Sequence, residues 1–211
     1  DDWGSYLDIK TNAPELLKTE LGKLEKRFPG KNYGSIFFSS VTDPYVGLEA
    51  KYQLTRKCLE VLADFGYRGP VAIQTKSPLV IRDTDILKKL KNVAVGFTIT
   101  GLNDKVTRFL EVNAPPVSSR FLTLSKLRKA GINTYAFVEP ILPHFIDSEK
   151  KIDILLSKLK QCGVKEVWFE HLNLSPKIKD RLFTFLKKQS PELIPQFENA
   201  NCEKYRNELD L

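Results

Sequence analysis

Methionine is absent from these 211 residues, histidine occurs twice and cysteine three times. The cysteines, Cys58, Cys162 and Cys202, are odd in number and far apart, which argues against a disulfide scaffold and for a reducing, cytoplasmic setting. No C-x-x-C occurs, and His144 and His171 have no spacing that makes a known metal-ligand set. No apolar run approaches the ~18 residues of a membrane span. The opening D-D-W-G-S-Y has neither the basic nor the apolar region of a signal peptide. No G-x-G-x-x-G follows a first strand, so a dinucleotide fingerprint is missing, and without G-x-S-x-G a Ser-His-Asp elbow is unsupported. A start without methionine, in a chain that has none, reads as an N-terminus cut from a longer protein, or as one from which processing has removed a first residue.

What is present is enough for one large domain: 42% of residues are hydrophobic, which can fill a substantial core at this length. The net charge of +7 is compatible with a polyanionic partner. Much of it falls on apparent helix surfaces, such as Lys88, Lys89 and Lys91 or Lys187 and Lys188, where solvation alone explains it.

The chain is organised around residues 35–45, S-I-F-F-S-S-V-T-D-P-Y. Bulky and β-branched residues there predict a buried strand, which must stop at Asp43-Pro44 because proline removes a ladder donor. Three later stretches repeat the design, V-A-I-Q-T-K-S-P from Val71, V-A-V-G-F-T-I-T-G from Val93 and Y-A-F-V-E-P-I-L-P from Tyr135. Parallel α/β folds hold ligands at such carboxyl ends. Thr42 and Asp43, Thr75 and Lys76, Thr98 and Thr100, and Glu139 are therefore expected to share one rim.

Between these stretches the apolar spacing changes to that of helices. Residues 6–10 alternate as a short strand, and Leu16, Leu17, Leu21 and Leu24 then mark a helix ending near Pro29-Gly30. Helices are likewise predicted from Leu54 to Gly66, over 82–90, after Ser118 as cap, from Ile152 to Cys162-Gly163, and over 176–188 with Ile178, Leu182, Phe183 and Leu186 inward. Residues 102–116 read as a polar loop and 164–172 as a further strand. The alternation repeats about six times, as βαβ units do. It predicts an α/β fold, an open, partial (β/α)6 TIM-type barrel of parallel strands. A doubly wound sheet is the alternative. Residues 1–190 form the barrel in this reading, and 191–211 a polar C-terminal extension.

Asp43 is the sharpest candidate, since a carboxylate at a strand end can hold an ammonium or act as a base, although Thr-Asp-Pro also makes a good turn. Lys76 suits a carboxylate or phosphate as a point charge, or is a surface lysine. Thr98 and Thr100 would place two hydroxyls on one side of the strand, suited to ribose, but threonine is also a good strand residue. Glu139 before Pro140 and Glu170 beside His171 are further polar strand ends.

Taken together and in order, S-S-V-T-D-P-Y, T-K-S-P-L-V-I-R-D, V-G-F-T-I-T, L-E-V-N-A-P-P-V-S-S-R-F-L-T-L and A-G-I-N-T-Y-A-F-V-E-P-I-L-P resemble the radical S-adenosylmethionine proteins related to spore photoproduct lyase. The resemblance runs from Ile9 to about Leu174. It implies a partial barrel holding a [4Fe-4S] cluster and S-adenosylmethionine. The reduced cluster, fed by a donor such as flavodoxin or ferredoxin, would cleave the sulfonium to a 5′-deoxyadenosyl radical that abstracts hydrogen from substrate. By motif, Thr42 and Asp43, in the loop that also carries Ser39 and Ser40, match the contact to the methionine amino group. Lys76 matches a contact to its carboxylate, and Thr98 one near ribose or carboxylate. Glu111 and Arg120 match family positions without an assigned role.

Two departures stand out. The C-x-x-x-C-x-x-C loop that supplies the cluster's thiolates is absent, and the chain's three cysteines cannot replace it at their spacings. In the family that loop lies upstream of a segment like W-G-S-Y-L-D-I-K-T-N-A-P-E-L-L, so a missing upstream piece is expected and the chain alone should not turn over. Second, the lyase's hydrogen-donating cysteine is matched by Ser40, whose O–H bond is too strong for that task. Thymine-dimer repair by the same route is disfavoured, and nucleic acid is one candidate substrate among others. The competing classes are a non-catalytic nucleic-acid-binding barrel and a cluster-free barrel hydrolase or lyase, for which no base and nucleophile can be identified.

Overall fold

The computed structural model describes residues 6–30, 33–39, 41–172 and 174–200. Five strands, β1 (Ile36–Phe38), β2 (Val71–Thr75), β3 (Val93–Thr98), β4 (Asn133–Ile141) and β5 (Val167–His171), follow one another in sequence order in one open sheet. The β1–β2 and β4–β5 ladders are parallel, so each chain return needs a crossover, and helices supply it. The α/β architecture of parallel strands in an open sheet is the one expected. The chain divides into two compact units, Asp1–Gly96 with Lys126–Asn133, and Phe97–Ser125 with Thr134–Leu211.

The first unit contains α1 (Ala13–Arg27), α2 (Glu49–Tyr52), α3 (Leu54–Phe65) and α4 (Thr84–Leu87), with a 3-10 turn over Pro78–Asp83. Pro14 sits in the first turn of α1, where its missing N–H costs nothing, and Lys26 and Arg27 face the negative end of the helix dipole. α1 packs on α3, whose Cys58, Leu59 and Leu62 are buried. α3 ends where Gly66 takes a left-handed φ of 70°, which lets Gly66 N–H reach Ala63 O and Tyr67 N–H reach Leu62 O. In β2, alternate residues Val71, Ile73 and Thr75 are buried, which carries a polar side chain into the interior at the strand's last position.

The second unit contains α5 (Lys105–Phe109), α7 (Glu149–Gln161), α8 (Pro176–Gln189) and α9 (Ile194–Asn199), and most of α6 (Val117–Lys129). Phe109 of α5 packs edge-on against Phe185 of α8, with ring centres 5.2 Å apart. No helix among the described residues is long and apolar enough to cross a membrane.

Several expectations need correction. Residues 6–10 form no strand, because no neighbouring strand supplies their ladder, and Tyr6 and Leu7 are exposed. The strand in residues 35–45 has only three residues and is an edge, with Phe37 51% exposed. An apolar run cannot reveal whether a partner lies on both sides. Residues 102–116 are not all loop, since α5 lies within them. Ser118 does not cap α6 from outside: it lies in the helix, and Asp104 accepts its N–H and its hydroxyl, both at 2.9 Å. The helix expected over 82–90 is a 3-10 turn followed by α4 alone. Leu16, Leu122 and Ile178 face outward despite helical spacing. In residues 191–200, Leu193, Phe197 and Ala200 are buried between exposed polar residues, and 201–211 lie outside the described residues.

Candidate functional site

Asp43 follows β1 by five positions and closes a turn on itself, its Oδ1 accepting the Tyr45 N–H at 2.8 Å. The same carboxylate reaches the end of β2. Thr75 Oγ1 donates to Oδ1 at 2.6 Å and the Lys76 N–H donates to Oδ2 at 2.7 Å. Pairing of Phe38 with Ile73 brings these two carboxyl ends together, because parallel strands finish at the same edge. Asp43 is therefore both turn former and carboxylate at the rim, and the two readings of Thr-Asp-Pro are compatible. Thr42 is exposed and Lys76 half-buried. Ser39, directly after β1, takes a left-handed φ of 103°, an uncommon backbone for serine and one that concentrates at functional loops. Ser40 lies outside the described residues.

Behind Asp43 lies a charged network that the sequence did not disclose. Tyr45 is buried and its phenol donates to Asp83 Oδ2 at 3.1 Å. Asp83 is fully buried and also accepts Arg82 Nε at 2.7 Å and Arg56 Nη1 at 3.1 Å. Arg82 continues to buried Glu49 at 2.9 Å, and Glu49 accepts the Thr55 and Arg56 N–H groups at the start of α3. Two arginines thus compensate two buried carboxylates, as burial of charge requires. Burial, then the Asp83 charge, raises the Tyr45 phenol's pKa, so it stays a proton donor. Hydrogen bonding from Arg56 lowers the Asp85 carboxyl to about 2. The R-D dipeptide at 82–83 was the available sequence signal, but its partners Glu49, Arg56 and Tyr45 are remote in the chain.

A cavity of about 310 Å³ adjoins Asp43, lined chiefly by apolar groups including Ile9, Phe38, Pro44, Val46 and Leu54. It belongs wholly to the first unit.

Thr98, Thr100 and Glu139 belong to the second unit. Thr98 ends β3, and its carbonyl accepts Arg120 Nη1 at 2.9 Å. Thr100 is fully buried, and its hydroxyl donates to Glu111 Oε2 at 2.7 Å. Arg120, also fully buried, pairs with the same Glu111 oxygen at 2.8 Å and donates Nε to Pro115 O at 3.0 Å. Glu111 and Arg120, matched by motif without a role, thus fasten the segment after β3 to α6. Glu139 is half-buried near the end of β4.

The described cysteines do not fit a cluster's thiolate set. Cys58 is buried in α3, where burial above all, with the Glu49 charge, pushes its thiol up to about 11. Cys162 belongs to the other unit and directs its thiol to Phe121 O at 3.5 Å. Cys202 lies outside the described residues, and among those described no group of three or more His, Cys, Asp or Glu is placed to hold a metal ion.

No protein-family model matches the chain. It is 33% identical over 202 residues to the uncharacterized protein MJ0683 of Methanocaldococcus jannaschii, covering 96% of this chain and 70% of that protein. It is 26% identical over 199 residues to the uncharacterized protein Rv2578c of Mycobacterium tuberculosis, of which it spans 56%. Among solved structures, a spore photoproduct lyase variant with bound AdoMet and dinucleoside spore photoproduct superposes with a TM-score of 0.61 at 14% identity, over 96% of this chain and 69% of that one. Streptococcus suis SuiB bound to S-adenosylmethionine gives a TM-score of 0.56 at 9% identity, over 88% of this chain and 43% of that one. The resemblance read from the motifs thus holds for the fold, which is shared with spore photoproduct lyase and SuiB.

Proposed function

The chain belongs to the family of the Methanocaldococcus jannaschii protein MJ0683, and on that premise we propose that it is the core of a radical S-adenosylmethionine enzyme. The observation that carries the reading is the Asp43 carboxylate, held by donors from its own turn and from the end of β2, with Lys76 beside it. An anion and a cation carried by adjacent strand ends suit the ammonium and carboxylate of an amino-acid end. Asp43 would take the ammonium and Lys76 the carboxylate of S-adenosylmethionine. Thr42 and Ser39 lie in the same loop as Asp43, and with Ser40, their neighbour in sequence, are assigned to the same ligand.

When bound, S-adenosylmethionine supplies a sulfonium whose reductive cleavage starts radical chemistry. This chain's part is to bind and orient. Asp43 accepts the Tyr45 N–H and the Thr75 hydroxyl through Oδ1 and the Lys76 N–H through Oδ2, which orients its carboxylate beside the apolar-lined cavity. The cluster's thiolates are assigned to protein outside these 211 residues, because the described cysteines do not fit them. A fold relative binds a dinucleoside photoproduct, but Ser40 stands where repair by that route would need a thiol, so nucleic acid is one candidate substrate among others.

The test is anaerobic reconstitution of the natural protein with iron and sulfide, followed by electron paramagnetic resonance with and without S-adenosylmethionine. A reduced [4Fe-4S] signal that shifts on addition, and no longer shifts in Asp43→Asn, supports the reading. A protein that acquires no cluster refutes it and directs attention to the basic helix surfaces, for which salt-dependent nucleic-acid binding is the measurement.

A further inference from the structure

Thr75 is 2% exposed, a buried hydroxyl at the last position of β2. It does two things at once: Oγ1 donates to Asp43 Oδ1 at 2.6 Å and accepts the Ser77 N–H at 2.9 Å. Lys76, between them, gives its N–H to the other oxygen of Asp43 at 2.7 Å. Ser77 in turn accepts the Leu79 N–H at 3.3 Å, which starts the 3-10 turn. One hydroxyl therefore joins the carboxylate on one strand end to the backbone that carries the lysine on the next.

The count of acceptor positions gives this a direction. Each carboxylate oxygen accepts about two hydrogen bonds. Oδ1 already has two, from Tyr45 and Thr75, while among the described residues Oδ2 accepts from Lys76 alone. The three donors together orient the carboxylate, and hence its remaining capacity, and the Thr75 bond is the one among them made by a side chain. A serine could reproduce that bond and a valine of the same shape could not.

We propose that Thr75 is the positioning residue for recognition of an α-amino-acid end: it ties the Asp43 carboxylate to the backbone that carries Lys76, and so favours ligands carrying both an ammonium and a carboxylate. This rests on the assignment of Asp43 and Lys76 to S-adenosylmethionine. It adds that the discrimination is made by a buried hydroxyl that need not touch the ligand.

The experiment measures dissociation constants of three probes, S-adenosylmethionine, S-adenosylhomocysteine and 5′-methylthioadenosine, by equilibrium dialysis on the reconstituted natural protein. The third probe lacks the amino-acid end. Thr75→Val is expected to weaken the first two about tenfold, which is ~1.4 kcal/mol, and to leave the third unchanged. Thr75→Ser restores the first two. Should Thr75→Val not fold, Thr75→Ala against Thr75→Ser gives the same comparison. Equal loss of all three probes assigns Thr75 a merely structural role and overturns the proposal, as does unchanged binding. In both cases the parent assignment survives if Asp43→Asn alone loses the amino-acid probes. Wild-type protein that binds neither amino-acid probe overturns the parent reading and this inference with it.

Discussion

Replacing Arg120 by methionine should be the most damaging single change in the second unit. Its side chain is completely buried, and its guanidinium serves Thr98 O at 2.9 Å, Pro115 O at 3.0 Å and Glu111 Oε2 at 2.8 Å. Methionine keeps the apolar stem but is three heavy atoms smaller, so a small void adds to the loss of the guanidinium's bonds. It removes the Arg120 cation from Glu111, whose side chain is 12% exposed, and the guanidinium donors from Thr98 O and Pro115 O. Breaking a buried pair from one side costs about 3–5 kcal/mol because the remaining charge stays desolvated. In a chain of this size each kcal/mol moves the melting temperature by about 2–4 °C, so a fall of roughly 6–20 °C is expected. The assay is guanidinium unfolding followed by circular dichroism, with Arg120→Met compared with the double variant Arg120→Met/Glu111→Leu. Removing both charges should recover part of the loss, since no buried charge is then left alone. A single variant within about 1 kcal/mol of wild type, or a double variant no better than the single, would refute the account of Glu111 and Arg120 as a buried compensated pair.

Other expectations follow from the same geometry. The carboxyls of Asp85, Asp104 and Asp147 are lowered in the folded state: Asp85 to about 2 by Arg56, Asp104 by the Ser118 N–H, and Asp147 because Lys151 and the His144 N–H outweigh burial. Their stabilisation is present above the unfolded carboxylate pKa of about 4 and is lost as pH falls toward 2, so urea midpoints should decline across that window, and less steeply in Asp147→Asn. An equal slope in that variant would remove Asp147 from the account. Because burial holds the Cys58 thiol near 11, iodoacetamide at pH 8 should modify Cys162 well before Cys58 in the native protein, as read by peptide mass spectrometry. Labelling of Cys58 at the rate of the unfolded chain would contradict its placement in the core. Gly66→Ala should cost about 1 kcal/mol although the added methyl meets nothing within 4 Å, since only the left-handed backbone opposes it. A neutral result in thermal unfolding would mean that α3 ends differently.

Local patterning alone determined a good deal here. The spacing of Cys58, Leu59 and Leu62 specifies α3 and Gly66 its end, because helical periodicity and a left-handed terminus are properties of a few adjacent residues. The apolar runs at Val71, Val93 and Tyr135 specify strands for the same reason, and the order of strand and helix leaves few connections other than parallel ones. The family resemblance, too, was legible in five motifs taken in order. Tertiary structure decided the rest. Whether 6–10 and 35–45 were strands depended on a neighbour to hydrogen-bond with: the first has none among the described residues, and β1 is paired only along one edge. Asp43 could be picked out from its place before proline, but its partners Thr75 and Lys76 are more than thirty residues on and meet it only because parallel strands end at the same edge. Asp83 and Glu49 could not be read as buried carboxylates, since burial of a charge needs compensating arginines: beyond the adjacent Arg82, Asp83 is met by Arg56 and Glu49 by Arg82 from distant parts of the chain.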